Sequence, residues 1–494
     1  MLKLTLCLCL CAYLAQETHG QAIPIGSPYQ VRLFDYSPAK DLTPQEVIQN
    51  NVRYIVTEMD KPANPEVLIF PEYGITGIDA LTHSNISAFA IKIPDVDPGK
   101  ALCQAFSVDP TLNKLACGIA TKTPLKVLVV NLLEIVDNDI YNTNLVFNEI
   151  GAILAKYRKI NLNDAEKSIL KAGTEPVTFL SSFGVTFGLI TSDDILHKTP
   201  SQVILRDRAV TDVIMTSAWQ SEVPFYSAIG LQDGYSRKNG INLLVSSISD
   251  PANYRGGSGT YSVDPRGNTA YVPRVPGNQV VSDRLRVLER QLPERACSEQ
   301  INPRSLGNLT GRVSDINAHK TKPMSNTDQY VAKSILGTDA SKTSFNDEFC
   351  KGRVCCKFDV QFATEIYNIK PVYKAVVSDS TCGIIACDND DSIATCGSRD
   401  NELSRAVFNK ITIEAKFEGK SAYQYLPVST NLDLKNVNFM FCDGSASMKL
   451  EVVSQTGLVY LGFIGETTSA GQSIASISLL AVVSIVLAVF KLSS

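Results

Sequence analysis

Apolar and polar positions along this chain fall into distinct textures. From about residue 28 to 290, short continuous apolar runs alternate with segments of helical spacing. The runs lie at 67–70, 115–119, 127–133, 144–147, 185–190, 213–215 and 243–245. Runs of this length, bounded by turn residues, read as strands buried on both faces. Thr43-Pro44-Gln45-Glu46 is a capping box with proline at the first helical position, and Val47, Val52, Ile55, Val56 and Met59 follow at helical spacing, which predicts a helix there. Buried strands with helices between them predict an α/β or α+β layered sandwich. Residues 284–345 are polar and carry Pro293, Pro303 and Pro323, the texture of a long connection. Beyond residue 350 the pattern turns to alternation, at 406–417 and 450–463, which predicts an antiparallel β domain.

The two ends differ from both. Met1-Leu2-Lys3 leads into an apolar stretch with small residues near Gly20 and Ala22, the order of a secretory signal peptide, expected over 1–22. A buried core helix is the competing reading, and nothing amphipathic supports it. At the other end, small residues at 467–471 precede a short polar spacer and an apolar tail over 477–490. That order predicts a glycolipid-anchor signal over 469–494, with a terminal membrane span as the alternative. The expected location is therefore the secretory pathway and the cell surface or extracellular space.

Composition narrows the picture further. The 494 residues are 44% hydrophobic and 19% charged, enough apolar material for a large core. A formal net charge of −4, with no run of Lys/Arg, argues against nucleic acid as a partner. Three of the thirteen cysteines precede residue 12; the other ten are an even number in a chain expected to be exported, which points to disulfides. Adjacent Cys355-Cys356 and the gap between Cys382 and Cys387 make no pair of C-x-x-C knuckles, so zinc is the weaker reading. Four histidines, no GxGxxG and no Walker motif leave no expectation of a metal or cofactor. The sequons at Asn85 and Asn308 are expected glycosylation sites.

Three polar residues end apolar or alternating segments, where a sheet delivers side chains to one edge: Glu72, Lys159 and Ser192. Singly, each reads as an ordinary strand-end residue. With their neighbours, Ile69-Phe70-Pro71-Glu72-Tyr73-Gly74, Tyr141-Asn142-Thr143-Asn144, Gly151 through Lys159, Thr191-Ser192-Asp193-Asp194 and Thr216-Ser217-Ala218-Trp219, they resemble the nitrilase (carbon–nitrogen hydrolase) superfamily. Ile93-Pro94-Asp95, Gly256 through Tyr261 and the Cys355-Cys356 pair are similar to its secreted vanin (pantetheinase) and biotinidase branch. The resemblance implies an α+β fold, a nitrilase-like αββα sandwich over 28–290. A connecting segment over 291–345 and a disulfide-rich, mainly β, vanin-type domain over 346–466 follow it.

It also implies a chemistry: hydrolysis of linear amides such as pantetheine or biotinyl amides. A glutamate serves as base to a cysteine, and a lysine stabilises the oxyanion of the tetrahedral intermediate. Carried over by motif, Glu72 is the base and Lys159 the oxyanion partner. This chain departs at the nucleophile, where Ser192 stands in place of cysteine with the charged Asp193 beside it. A serine hydroxyl is far less acidic than a thiol and relies on a well-oriented base, and losing a nucleophile costs on the order of a millionfold in turnover. Cys103 and Cys117 are read as a disulfide pair, so neither replaces it. The expectation is an inactive or ligand-binding pseudo-amidase; the alternative is an amidase using Ser192. His197 is read as a loop residue and not a triad member. Glu134, seven residues ahead of Tyr141, is a loose match to the second glutamate many family members carry. The expected partners are a small-molecule amide and, through the anchor, a membrane; oligomeric state and the connectivity of the ten cysteines as a whole stay open.

Overall fold

The computed structural model describes residues 24–465 apart from 63–64, 123, 224, 264–268, 272–275, 290–320, 325–326, 337–342, 364–371, 398–405, 419–424, 432–436, 438 and 444–446. The expected signal peptide and anchor, Cys297 and Asn308 lie outside the described residues.

The first half is two six-stranded sheets packed face to face. Sheet one contains β1 (Pro28–Asp35), β2 (Val67–Ile69), β3 (Val127–Val136), β4 (Asp139–Asn148), β5 (Ile153–Arg158) and β12 (Gln279–Arg286), in the order β12-β1-β2-β3-β4-β5. Sheet two contains β6 (Thr178–Leu180), β7 (Thr186–Thr191), β8 (Val210–Ser217), β9 (Asn242–Ser247), β10 (Ser258–Tyr261) and β11 (Thr269–Tyr271), in the order β11-β10-β9-β8-β7-β6. In each, a parallel trio (β1-β2-β3 or β7-β8-β9) is flanked by antiparallel strands. Strand alternation sorts the side chains. Val31, Leu33, Val129 and Val146 meet Phe187, Leu189, Ile214 and Leu244 between the sheets. Phe34, Leu68, Leu128 and Val130 face outward onto α1 (Pro44–Met59) and α2 (Pro110–Ala120). Each such buried side chain contributes about 1.5–3 kcal/mol before chain entropy is counted.

Helix α1 begins as the sequence predicts. Glu46 Oε2 accepts from Thr43 N at 3.0 Å, and Glu46 N donates to Thr43 Oγ1. The run 115–119 is a correction: it is the last part of α2, not a strand. Asp109 caps that helix, its Oδ1 accepting from Thr111 N at 2.7 Å, and Pro110 opens it. Leu112, Leu115, Ala116 and Ile119 then form one helical stripe. A five-residue apolar window carries too little of a helical period to be separated from a buried strand.

A third helix, α3 (Ala228–Asn239), covers sheet two and is buried along nearly its whole length. Nothing in its mixed polar composition announces that burial. Its interior glycines explain the close fit: a Cβ at Gly234 would lie 1.8 Å from the Pro427 carbonyl oxygen, so only glycine admits this approach. What covers α3 is the second half of the chain, a sandwich of two five-stranded sheets. The inner sheet is β13 (Val331–Leu336), β16 (Val372–Val377), β17 (Thr381–Cys387), β22 (Leu458–Gly465) and β19 (Tyr425–Asn431), ordered β13-β16-β17-β22-β19. The outer sheet is β14 (Ser344–Lys351), β15 (Val354–Phe362), β18 (Phe408–Phe417), β21 (Ser447–Gln455) and β20 (Phe439–Asp443), ordered β14-β15-β18-β21-β20.

Both sheets are antiparallel, and their burial differs. Strands β16, β17 and β22 are buried at every position, because α3 and sheet two lie on one side and the outer sheet on the other. Strands β15 and β18 alternate, with one face wet. The alternating segment 450–463 is two strands in different sheets, β21 and β22, joined through Gly457 at a φ of 62°. Lys238 Nζ donates to the Tyr425 carbonyl at 2.5 Å, and Arg237 donates to the Val437 carbonyl at 3.0 Å while lying over the Phe439 ring. Disulfides join Cys103 to Cys117, Cys350 to Cys355, Cys356 to Cys382 and Cys387 to Cys396. The third ties the outer sheet to the inner one, and Cys442 is disulfide-bonded as well. The fold is the expected α+β arrangement, an αββα sandwich followed by a disulfide-rich β domain.

Candidate active site

The carboxyl ends of β2, β5 and β7 converge on one edge of the paired sheets, and each carries one of the three singled-out residues. Glu72 follows β2 after Phe70-Pro71. Its turn is held by Asn131 of β3, whose Oδ1 accepts from Tyr73 N at 2.6 Å, with Tyr73 at a φ of 56°. Lys159 directly follows β5 and is tied to β4 by Lys159 N donating to the Asn142 carbonyl at 2.8 Å. Ser192 follows β7 at a φ of 36°, a left-handed conformation that non-glycine residues adopt at a cost. Asp194 offsets it: Oδ2 accepts from Thr191 N at 2.9 Å and from Tyr157 OH at 2.6 Å, and Oδ1 accepts from Asn161. The buried Asp194 therefore shapes the turn, its carboxylate spent on Thr191, Tyr157 and Asn161.

All three side chains are buried and in contact. The Ser192 hydroxyl donates to Glu72 Oε2. Ala218 N, just past β8, donates to Ser192 Oγ at 2.9 Å and to Glu72 Oε2 at 2.8 Å. Lys159 Nζ donates to Glu72 Oε1 at 3.1 Å, to Glu166 Oε2 at 2.8 Å and to Asp193 Oδ2 at 2.8 Å. An ammonium has three protons. All three are directed at carboxylates.

Glu166 was not legible as a site residue. It sits in the short helix Asp164–Lys167, where Asn163 N donates to its Oε2 at 2.9 Å; its Oε1 accepts from Tyr73 OH and from Asn142 Nδ2. The available signal was Asn163-x-x-Glu166, a capping box seven residues beyond the lysine. Glu134, the loose match to a second glutamate, is a correction. It faces the opposite side of sheet one, bonded to Thr143, Lys156 and Arg158. Alternation along β4 explains this: Asn142 and Asn144 point between the sheets while Tyr141 and Thr143 point outward. Asn142 Nδ2 also donates to Glu72 Oε1 at 2.7 Å, so the Tyr-Asn-Thr-Asn segment supports the glutamate from β4. The hydroxyl proton of Ser192 goes to Glu72 and not to His197.

The electrostatics follow from one cation among three carboxyl groups. Burial pushes Glu72 up to about 7; Lys159 pulls it down, and Glu166 and Asp193 push it up again. Glu166 is buried too, but Lys159 and the bonds from Tyr73 and Asn163 hold it below its ordinary value. Burial alone would lower Lys159, yet Asp193, Glu72 and Glu166 hold it well above. A cavity of about 900 Å³ opens onto this centre, lined among others by Glu72, Tyr73, Ser192, Asp193, Trp219 and Lys322.

Two face-packed mixed sheets between helices, followed by a β domain, are the arrangement expected of a nitrilase-like sandwich with a vanin-type second domain. The chain matches the carbon–nitrogen hydrolase family over residues 30–227 and the vanin C-terminal domain over 319–469. Vanin-like protein 1 of Drosophila melanogaster is 25% identical over 404 residues, 73% of this chain and 69% of the relative. The pantetheinase of Bos taurus is 25% identical over 67% of this chain and 66% of its own. The biotinidase of Takifugu rubripes is 24% identical over 78% of this chain and 82% of its own. The solved structure of a Saccharomyces cerevisiae protein of branch 10 of the nitrilase superfamily aligns over 54% of this chain and 93% of its own, at 19% identity and a TM-score of 0.41. The chain thus carries a carbon–nitrogen hydrolase domain followed by a vanin C-terminal domain, and the relatives it resembles are vanin-like proteins, pantetheinases and biotinidases.

Proposed function

We propose that this protein is a vanin-like pseudo-amidase of the cell surface, one that binds a small amide in the cavity above Ser192 and does not turn it over at an appreciable rate. The observation that carries the reading is the state of Lys159. Its three protons are spent on Glu72, Glu166 and Asp193, so no donor remains on it for an oxyanion. An oxyanion donor contributes about 10²–10³-fold to such reactions, and a serine in place of a cysteine removes the easily ionised nucleophile as well. In the same reading the chain is exported by residues 1–22 and anchored through 469–494. It carries glycans at Asn308 and at Asn85, which is exposed, with Ser87 Oγ donating to its side-chain oxygen. Pantetheine and biotinyl amides are the first ligands to try, after the names of the relatives.

One observation favours a second reading, a working amidase with Ser192 as nucleophile: its hydroxyl already donates to Glu72, whose pKa near 7 suits proton transfer at neutral pH. The two readings separate in one experiment. Hydrolysis of pantetheine and of a biotinyl amide is measured for the purified exported protein, Ser192→Cys and Ser192→Ala. The pseudo-amidase reading expects silence from the natural protein and only slow turnover from Ser192→Cys, which restores the nucleophile but leaves the protons of Lys159 on Glu72, Glu166 and Asp193. Turnover by the natural protein that disappears in Ser192→Ala overturns it.

A further inference from the structure

The cavity above Ser192 is uneven in charge. Its lining holds six carboxyl side chains, Glu72, Asp79, Asp164, Asp193, Glu222 and Asp250, against two cations, Arg255 and Lys322. Behind the floor, Lys159 and Glu166 cancel each other. The excess of four carboxyl groups matches the formal net charge of the whole chain, −4, so over the rest of the chain acidic and basic side chains are equal in number. Both lining cations are already engaged: Lys322 meets Glu222 at 3.2 Å, and Arg255 meets Asp250 at 3.5 Å. Asp164, almost fully exposed, meets Lys167 at 2.8 Å. Asp193 gives Oδ2 to Lys159, a cation it shares with Glu72 and Glu166, and is 31% exposed. Asp79 is exposed, and no cation meets it among the described residues. A cleft lined by one sign of charge concentrates ions of the other sign.

The same lining holds three aromatic side chains, Tyr73, Trp219 and Tyr226, whose polar atoms are spent elsewhere. Trp219 Nε1 donates to the Tyr226 carbonyl at 2.8 Å, and the Tyr73 hydroxyl donates to Glu166. The Tyr226 hydroxyl is bonded to Ser380 and Thr381 of the second half. Ring surface is what these residues have left for a ligand, and ring faces attract cations, tryptophan most strongly. Carboxyl excess and ring surface are separate features, and both select positive charge. We propose that the amide held in this cavity carries a cationic end, an ammonium or quaternary ammonium group, bound by Asp79, Asp193 and the Trp219 ring. The inference rests on reading the cavity as an amide-binding site, and it names the class of amide.

Alkylation of the thiol introduced by Ser192→Cys tests this without requiring hydrolysis. Two iodoacetamides of the same shape are compared on the full exported chain. One is N-(2-trimethylammonioethyl)iodoacetamide, and the other is its uncharged carbon analogue, N-(3,3-dimethylbutyl)iodoacetamide. Each rate is divided by that probe's rate with N-acetylcysteine amide, and the unmutated protein supplies the background. The cationic probe is expected to be favoured about fivefold, the size of a partly exposed charge contact joined by a ring contact. The preference should fall toward one in about 1 M salt, where charges are screened beyond ~3 Å. Two added substitutions should move it in opposite directions. Asp79→Asn should lower it by about twofold, and Lys322→Met, which leaves Glu222 without its cation, should raise it by a similar factor. Any change in the thiol itself acts on both probes alike, so the ratio reads the charge of the ligand. Equal corrected rates, a preference for the uncharged probe, or a preference that neither substitution moves would overturn the proposal, while ready labelling by both probes would leave the amide-site reading standing. No labelling by either probe would bring down both.

Discussion

Glu72 and Glu134 are two buried carboxyl groups on opposite faces of one sheet, and their surroundings send them in opposite directions. Glu134 faces two cations: Arg158 donates from Nε and from its terminal nitrogen, each at 2.8 Å, and Lys156 donates at 3.0 Å. Thr143 completes its shell at 2.9 Å. Burial alone would raise its pKa, but these bonds hold it below the usual carboxylate range. Glu72 shares one cation with two other carboxyl groups, and burial pushes it up to about 7. Burial is common to both, so the ratio of cations to carboxyl groups decides. Carboxyl charge matched by cations on the outer face serves the fold; carboxyl groups that outnumber their one cation between the sheets are a cost that the fold carries for a site.

The largest test of that contrast removes the cation from each cluster. Lys159→Met leaves buried Glu72 and Glu166 facing each other and the partly exposed Asp193 with no cation among them, and a loss of about 3–5 kcal/mol in stability is expected, the size seen when a buried pair is broken. Arg158→Met leaves Lys156 on Glu134 and a route to solvent, since Arg158 is 32% exposed, so a loss below about 2 kcal/mol is expected. Urea denaturation at pH 7 reads both. Equal losses would mean the two clusters do not differ as described.

A second test concerns the proton that Asp193 withholds. In the Ser192→Cys background, Asp193→Asn should raise amide turnover by about 10²-fold, the worth of one oxyanion donor, with the gain in kcat and not in KM. No gain would show that the Asp193 bond is not what limits Lys159.

The third test exchanges the carboxylates. Glu134→Gln removes an acceptor from three charged or polar donors, with an expected loss of about 1–3 kcal/mol. Glu72→Gln relieves like-charge crowding and should be neutral or stabilising by up to about 1 kcal/mol at pH 7. Two losses of equal size in denaturation would erase the contrast.

The pH dependence gives the smallest and most specific effect. Glu72 has a folded pKa raised from 4.5 to about 7, so between those values the folded chain binds more protons than the unfolded one, and this group lowers stability as pH rises through that window. The advantage of Glu72→Gln over the natural protein should therefore be absent below about pH 4.5, grow toward pH 7 and level off above it. Glu134 has the opposite sign. Its folded pKa is lowered, so its contribution is present above the unfolded value and is lost as pH falls through the folded one. The deficit of Glu134→Gln should shrink only in acid. Difference curves against the natural protein cancel Asp35 and Asp212, which burial raises to about 7 and about 6.

Much of this arrangement is readable in one dimension. The runs at 67–70, 127–133, 185–190, 213–215 and 243–245 mark strands because each is buried on both faces, which leaves no alternation to obscure them. Glu72, Lys159 and Ser192 stand out because each follows such a segment within a longer motif. Helix α3 was not readable: its Asp233, Arg237 and Lys238 look like a solvated face, and only the β domain packed on it makes them interior. Glu166 was not readable for a related reason, since its capping role and its contact with Lys159 belong to different scales. Glu134 and Glu166 lie at comparable distances along the chain from the motif segments, and only the facing of β3 separates them.

By itself the sequence determined which groups arrive at the edge of the sheets: a glutamate, a lysine and a serine, each carried by local pattern. The tertiary structure alone decided what those groups are to one another. Lys159 and Glu72 are 87 residues apart, and Ser192 and Glu72 are 120 apart. Whether a lysine has a proton to spare, and whether a glutamate is charged, depends on a few ångströms between such segments and on the water excluded around them. Coulomb energy and desolvation vary steeply over those distances, and no pattern along the chain encodes them.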